Sequence, residues 1–353
     1  MTDSIFEEFK KRHPTFPLPT RDESRDGLIR TVTEISERLL PYAAPRVGIA
    51  REDLEKRFKR ARLVFSSDVN GYVCSRDNWQ TFEVLLNRGL MMFYHKMVKV
   101  FVGGNIGIGK GESHAIEKPL EFSRAISTCK ALMEAFWEDR LEDQGGFWFA
   151  EFGETQMCMT AALVHCCECF TLAHEWGHAV IRLSNGKLVE LATAKKLVEG
   201  FLSSISGLSA EERGRWLEYW TEEIAADLIG LHLSLELPDM HPFDNCANYK
   251  QWIYGGAEIA LILIAMLEAY HDKIHHGPKM TLVRSHPPGL LRLKAIRLSP
   301  ERSTFSDDLR FGQRCGAFAK KVLAECGPIS EDSSFVPMMP RKRGRFKLFA
   351  ASR

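Results

Sequence analysis

The chain lacks a charge bias: 47 Lys and Arg stand against 46 Asp and Glu in 353 residues, a formal net charge of +1. Bulk electrostatics therefore favours neither nucleic acid, nor an anionic membrane surface, nor a charged polymer as partner, and any charge signal has to be local. A disulfide framework is lacking too. The nine cysteines are odd in number and irregularly spaced, at Cys74, Cys129, Cys158, Cys166, Cys167, Cys169, Cys246, Cys315 and Cys326, which suits a reducing cytosol and a cytoplasmic location. No apolar stretch follows the early acids of MTDSIFEEFKKRHPTFPLPT, so no secretory signal is expected. The longest apolar run, AEIALILIAMLEAY from Ala257, is interrupted by Glu258 and Glu268 and reads as too short to span a bilayer. It is expected to be a core helix of a soluble protein with no membrane partner. No internal repeat is present.

What the chain does have is helical periodicity. Leu28, Val32, Ile35 and Leu39 recur at helical spacing, and Pro41 and Pro45 are expected to stop that helix. ARLVFSSDVNGYVCS reads as two strands joined by a turn at Asn70-Gly71. A long helix is expected from about Asp77, with Phe82, Leu86, Phe93, Met97 and Phe101 on one face and Gly103-Gly104 at its end. Another covers 118–143, and FWFAEFG, starting at Phe147, reads as a strand. Ser209 and Glu212 have the spacing of a capping box, opening a helix that runs to about Leu237. The expected class is α+β, mainly helical with a small antiparallel sheet. Three segments are delimited: 1–115, a helical and hairpin segment with a candidate regulatory role; 116–298, carrying the chemistry; and 299–353, a helical extension and basic tail.

The chemistry is concentrated in TLAHEWGHAVIRL, residues 171–183. Residues four apart on a helix share a face, so His174 and His178 can aim two imidazoles at one point, which is metal-binding geometry. Glu175 sits about 100° round from His174. There its carboxylate can reach a water on the ion without being a ligand itself. A catalytic zinc site needs three protein ligands and an open position. EEIAAD supplies the third candidate, Glu223, with Glu222 as its neighbouring alternative. Asp227 lies one turn after Glu223, placed to accept the other N–H of a ligating histidine.

His174-Glu175-Trp176-Gly177-His178 followed by Glu223-Ile224-Ala225-Ala226-Asp227 resembles the gluzincin metallopeptidases, whose pattern is HExGH and then ExxAD. SHPPGLLRL, with His286 and Arg292, is similar to a segment of the HtpX and CaaX-prenyl-protease family, and the resemblance covers roughly 145–298. The membrane helices of those enzymes are not expected here, so a soluble relative comparable to the Lit-type phage-exclusion peptidases is implied. The resemblance implies a zincin-like domain and a Zn2+-dependent endopeptidase, a hydrolase with Glu175 as general base. Its metal ligands would be His174, His178 and Glu223, and its substrate a protein or peptide. His286, Arg292 and Tyr254 are candidates, in that order, for the oxyanion donor. FWFAEFG is the implied substrate edge, and a toxin or antiviral-defence role follows by analogy.

Four other features have blander readings. HCCECF, His165 to Phe170, places its cysteines in several directions and reads as buried thiols; HDKIHH, with His271 and His275, reads as a frayed helix end. GGNIGIGKG satisfies GxxxxGK, but Gly111 stands where a Ser or Thr should hold magnesium. Arg341, Lys342, Arg343, Arg345 and Lys347 form a basic tail. Two rival functions remain open: a non-catalytic zinc-bound peptide-binding module, and a peptidase gated by nucleic acid through that tail.

Overall fold

The protein is described by a computed structural model over residues 27–64, 71–104, 121–141, 153–184, 188–237, 249–276, 286–304 and 310–325. The N-terminal arm, nearly all of the glycine-rich loop and of FWFAEFG, and the basic tail lie outside these residues. In chain order the elements are α1 (Gly27–Val47), α2 (Arg51–Arg57), β1 (Phe58–Val64), β2 (Tyr72–Arg76), β3 (Thr81–Asn87), α3 (Arg88–Gly103) and α4 (Phe122–Trp137). They continue as α5 (Glu154–Leu183), α6 (Val189–Ser203), α7 (Ala210–Glu236), α8 (Tyr249–His276), α9 (Gly289–Arg297), a 3-10 turn (Pro300–Thr304) and α10 (Arg310–Glu325). The architecture is mainly helical α+β, as the periodicity implied.

Local expectation and structure part in several places. Helix α1 runs straight through Pro41 and Pro45, because Leu39, Leu40, Ala43 and Ala44 are buried around them. Their burial outweighs the roughly 3 kcal/mol that an interior proline costs. The expected long helix from Asp77 is instead a left-handed turn, a strand and then α3. Asp77, Asn78 and Trp79 all have positive φ, which breaks any helix, and TFEVLLN is buried along nearly its whole length, as a central strand is. Asn87 then caps α3, its side chain accepting from the Gly89 N–H.

The sheet is mixed rather than antiparallel. Its order is β1-β3-β2, with β3 parallel to β1 and antiparallel to β2, so the two strands expected to form a hairpin are separated by β3. The capping box at α7 forms as the spacing required, with Ser209 and Glu212 exchanging both hydrogen bonds.

One apolar cluster extends from Val32 to Val322 and draws side chains from all three sequence segments, so the boundaries at 115/116 and 298/299 divide the chain and not the core. Among the described residues two helices are long and apolar enough to cross a bilayer, Gln156–Leu183 and Tyr249–Asp272, with 72% and 78% of their most apolar windows buried inside the protein. The run from Ala257 therefore belongs to a 28-residue helix, longer than the apolar letters suggested, because its polar ends continue the same hydrogen-bond ladder.

Helices α5 and α7 cross at contact distance because each carries a glycine at the crossing. A Cβ on Gly177 would lie 2.6 Å from the Ala226 carbonyl oxygen, and one on Gly230 would lie 2.7 Å from the His174 backbone nitrogen. Neither clash can be relieved by rotating a side chain. Gly230→Ala is expected to destabilise the fold by about 1–3 kcal/mol, the usual cost of overpacking. A chemical denaturation midpoint unchanged from wild type would show that the crossing is slack.

Candidate metal centre

Trp176 lies between the two histidines in sequence and points the other way. It packs on Phe58 and Phe82, with ring centroids 4.9 and 5.4 Å away, and so seats α5 on the sheet. With that face fixed, His174 and His178 face α7. The ligand atoms of His174, His178 and Glu223 lie within 4.8 Å of one another, a group that could hold a metal ion. Glu223 Oε2 is 3.7 Å from His174 Nε2, and Glu223 Oε1 is 3.4 Å from His178 Nε2. Ligands bound at about 2.0–2.1 Å around a tetrahedral ion are separated by roughly 3.3 Å, so these gaps already approach a coordination edge. Glu223 Oε2 is also buried without a hydrogen-bond partner, which an ion would relieve.

Behind each imidazole stands a carboxylate, and behind each carboxylate an arginine. His174 Nδ1 is 2.9 Å from Asp227 Oδ1, as the motif spacing implied. Asp227 in turn accepts from Arg292 Nε at 2.8 Å and Nη2 at 2.7 Å. Arg292 is therefore not an oxyanion donor. Its guanidinium is buried on the Nδ1 side of His174, away from the Nε2 atoms where a substrate would meet an ion, and it holds Asp227 instead. Tyr254 is also corrected: its hydroxyl donates to the Ile296 carbonyl at 3.0 Å in the core. His286 does reach the site, with Nε2 3.6 Å from Glu223 Oε1 and its side chain a quarter exposed.

The second support was missed by sequence reasoning. Glu222 lies outside the converging group: its Oε1 is 3.4 Å from His178 Nδ1, and its Oε2 accepts from Arg182 Nη2 at 2.6 Å. Both of its oxygens are engaged, whereas Glu223 keeps one unpartnered. The available signal was the spacing of Arg182, one turn after His178 on the same face, beside an acidic doublet on a facing helix.

With Glu175, Glu222, Glu223 and Asp227 ionised, four negative charges face, among the described residues, the two positive charges of Arg182 and Arg292. Neutral histidines leave an excess of two, which matches a divalent cation. Burial alone would raise the carboxylates. At Glu223 the neighbouring His286, His178, His174 and Arg292 outweigh burial and bring the pKa to about 2. At Asp227, Arg292 and His174 hold the group well below the usual carboxylate range. Glu175 differs: burial pushes it up, and its two histidine neighbours only partly offset this. Burial would lower His178, but Glu223, Glu222 and Glu175 outweigh it and raise the imidazole to about 9. Without an ion, the site recruits a proton to balance its charge.

Gly71, which immediately precedes β2, lies directly on Glu175. A Cβ there would overlap the Glu175 carboxylate, so the lack of a side chain lets the backbone cover that carboxylate. The cysteine cluster read from the sequence behaves as a core does. Cys166, Cys167 and Cys169 are buried, and burial pushes Cys167 and Cys169 up, away from the thiolate a metal would need. His271 packs against Trp137 with ring centroids 4.3 Å apart and the ring planes tilted by 49°; the His275 side chain lies outside the described residues.

Two outcomes follow from this geometry. Arg292→Met leaves the Asp227 carboxylate buried with only His174 beside it and is expected to cost about 3–5 kcal/mol, read as a drop in the denaturation midpoint. In metal-free protein, His178 is raised from its ordinary 6.5 to about 9, so its stabilising contribution is full below pH 6.5 and is lost as pH rises through about 9. The midpoint measured with chelator present should fall across that window, and Glu223→Gln should flatten the slope. A midpoint independent of pH there would contradict the charge pairing.

No protein-family model, curated protein or solved structure matches the chain, so the likeness to gluzincins rests on the motifs themselves.

Proposed function

We propose that the chain is a zinc-dependent endopeptidase acting on a protein substrate. The observation that carries this reading is the convergence of His174, His178 and Glu223 with Glu175 on the same side, its Oε1 3.9 Å from His174 Nε2. Two imidazoles and one carboxylate form a donor set suited to zinc, whereas magnesium and calcium prefer oxygen ligands throughout. When bound, the ion supplies Lewis acidity, acidifying a water and polarising a carbonyl.

The remaining steps belong to the chain's own side chains. Glu175 accepts a proton from the attacking water as the new C–O bond forms, then delivers it to the amine as the C–N bond breaks. A base with a raised pKa is suited to both transfers. His286, partly exposed beside Glu223, is the donor placed to meet a developing oxyanion. Asp227 and Arg292 keep His174 in one tautomer and orientation. The expected substrate strand FWFAEFG lies almost wholly outside the described residues. Within them, β2 borders the base through Gly71 and is an edge of its sheet, so it is the strand on which an extended peptide would lie. A cytosolic role in toxicity or phage defence follows only from the likeness to Lit-type peptidases.

Glu175→Gln is expected to retain stoichiometric zinc and to lose about 10²–10⁴-fold of hydrolytic rate. Wild type and variant should be expressed side by side in the native host and new protein termini mapped by mass spectrometry. Termini found only with wild type identify the substrate. Equal termini in both, with metal bound in both, would leave a peptide-binding module and end the peptidase reading.

A further inference from the structure

Outside the ligand triad, a second group of charges lies on the His178 side. The two oxygens of Glu222 are divided between partners one helical turn apart on α5: Oε1 lies 3.4 Å from His178 Nδ1 and Oε2 2.6 Å from Arg182 Nη2. An imidazole that ligates through Nε2 has only its Nδ1–H left to fix the ring. A carboxylate is the acceptor that also raises the ring's basicity. A carboxylate beside a ligating carboxylate poses a second problem, since either could swing toward the ion. The Arg182 guanidinium solves it by holding the far oxygen of Glu222, so that Glu223 alone is left to bind.

We propose that Glu222 and Arg182 form a positioning dyad that orients His178 and keeps Glu222 out of the coordination sphere. The dyad is the counterpart of Asp227 and Arg292 behind His174. This rests on the zinc reading of the site. The two supports differ in depth. The Asp227 side chain is fully buried, whereas the side chains of Glu222 and Arg182 retain 17% and 35% of their exposure. Removing Glu222 therefore leaves a partly exposed Arg182, and removing Arg182 leaves Glu222 with His178 as a partner, so the effect should fall on the metal more than on the fold.

The test uses the full chain and zinc itself. Affinity is measured by competition with a chromogenic chelator, and cobalt is substituted to report ligand geometry through its visible absorption. Glu222→Ala is expected to weaken zinc about 10–100-fold, to alter the cobalt spectrum, and to lower the metal-free denaturation midpoint by less than Asp227→Asn does. Arg182→Met should weaken zinc by a smaller factor, and Arg182→Lys should recover part of the loss because a charged donor remains. If both Glu222→Ala and Arg182→Met bind zinc as wild type does while Asp227→Asn binds it poorly, the dyad is a surface ion pair and the proposal is wrong. If wild type itself takes up no zinc, the zinc reading fails, and this inference with it. A lowered metal-free midpoint that accounts for the whole loss of affinity would also overturn it.

Discussion

The close crossing of α5 and α7 is the constraint on which the rest depends. Two helices can share one ion only if their backbones approach nearer than ordinary side chains permit. Gly177 against Ala226, and Gly230 against the His174 backbone, create that approach. Trp176 performs the complementary task on the other face of α5, locking it to Phe58 and Phe82 so that the histidines have no freedom to rotate away. Packing thus does the work of bringing imidazoles and carboxylate together, and electrostatics has to accept the result.

Its acceptance takes the form of pairing. Buried carboxylates are tolerated only with partners. Asp227 has Arg292 and His174; Glu222 has Arg182 and His178. Glu223 lacks an arginine in hydrogen-bonding contact and keeps an oxygen with no hydrogen bond, in the place where the two Nε2 atoms converge. That unmet demand separates the candidate ligand from its neighbour in an acidic doublet. Glu175 stands apart again, desolvated by Gly71 and raised rather than lowered, which is the condition a proton-transferring base needs and a ligand does not.

Much of this was legible along the chain. The i, i+4 spacing of His174 and His178, and of Glu223 and Asp227, projects directly into shared helix faces, because helical geometry is local. The capping box at Ser209 was legible for the same reason. Arg292 and Tyr254 were misread because both carry groups that could serve an oxyanion, and only the fold shows which way each points. The strand at Thr81–Asn87 was hidden because a fully buried strand has no alternation to distinguish it from a buried helix. The prolines of α1 misled in the opposite sense, tertiary burial overriding a local penalty.

The sequence by itself therefore determined the residues on each helix face: two imidazoles one turn apart, a glutamate beside the first, and an acid pair one turn apart on a later helix. The tertiary structure alone decided which acid faces the imidazoles, which arginine supports which acid, and that β3 rather than β2 lies beside β1. The reason is physical. Intrahelical relations are fixed by a repeat of about 3.6 residues. Relations between elements depend on how close two backbones can come and on where each buried charge finds its partner.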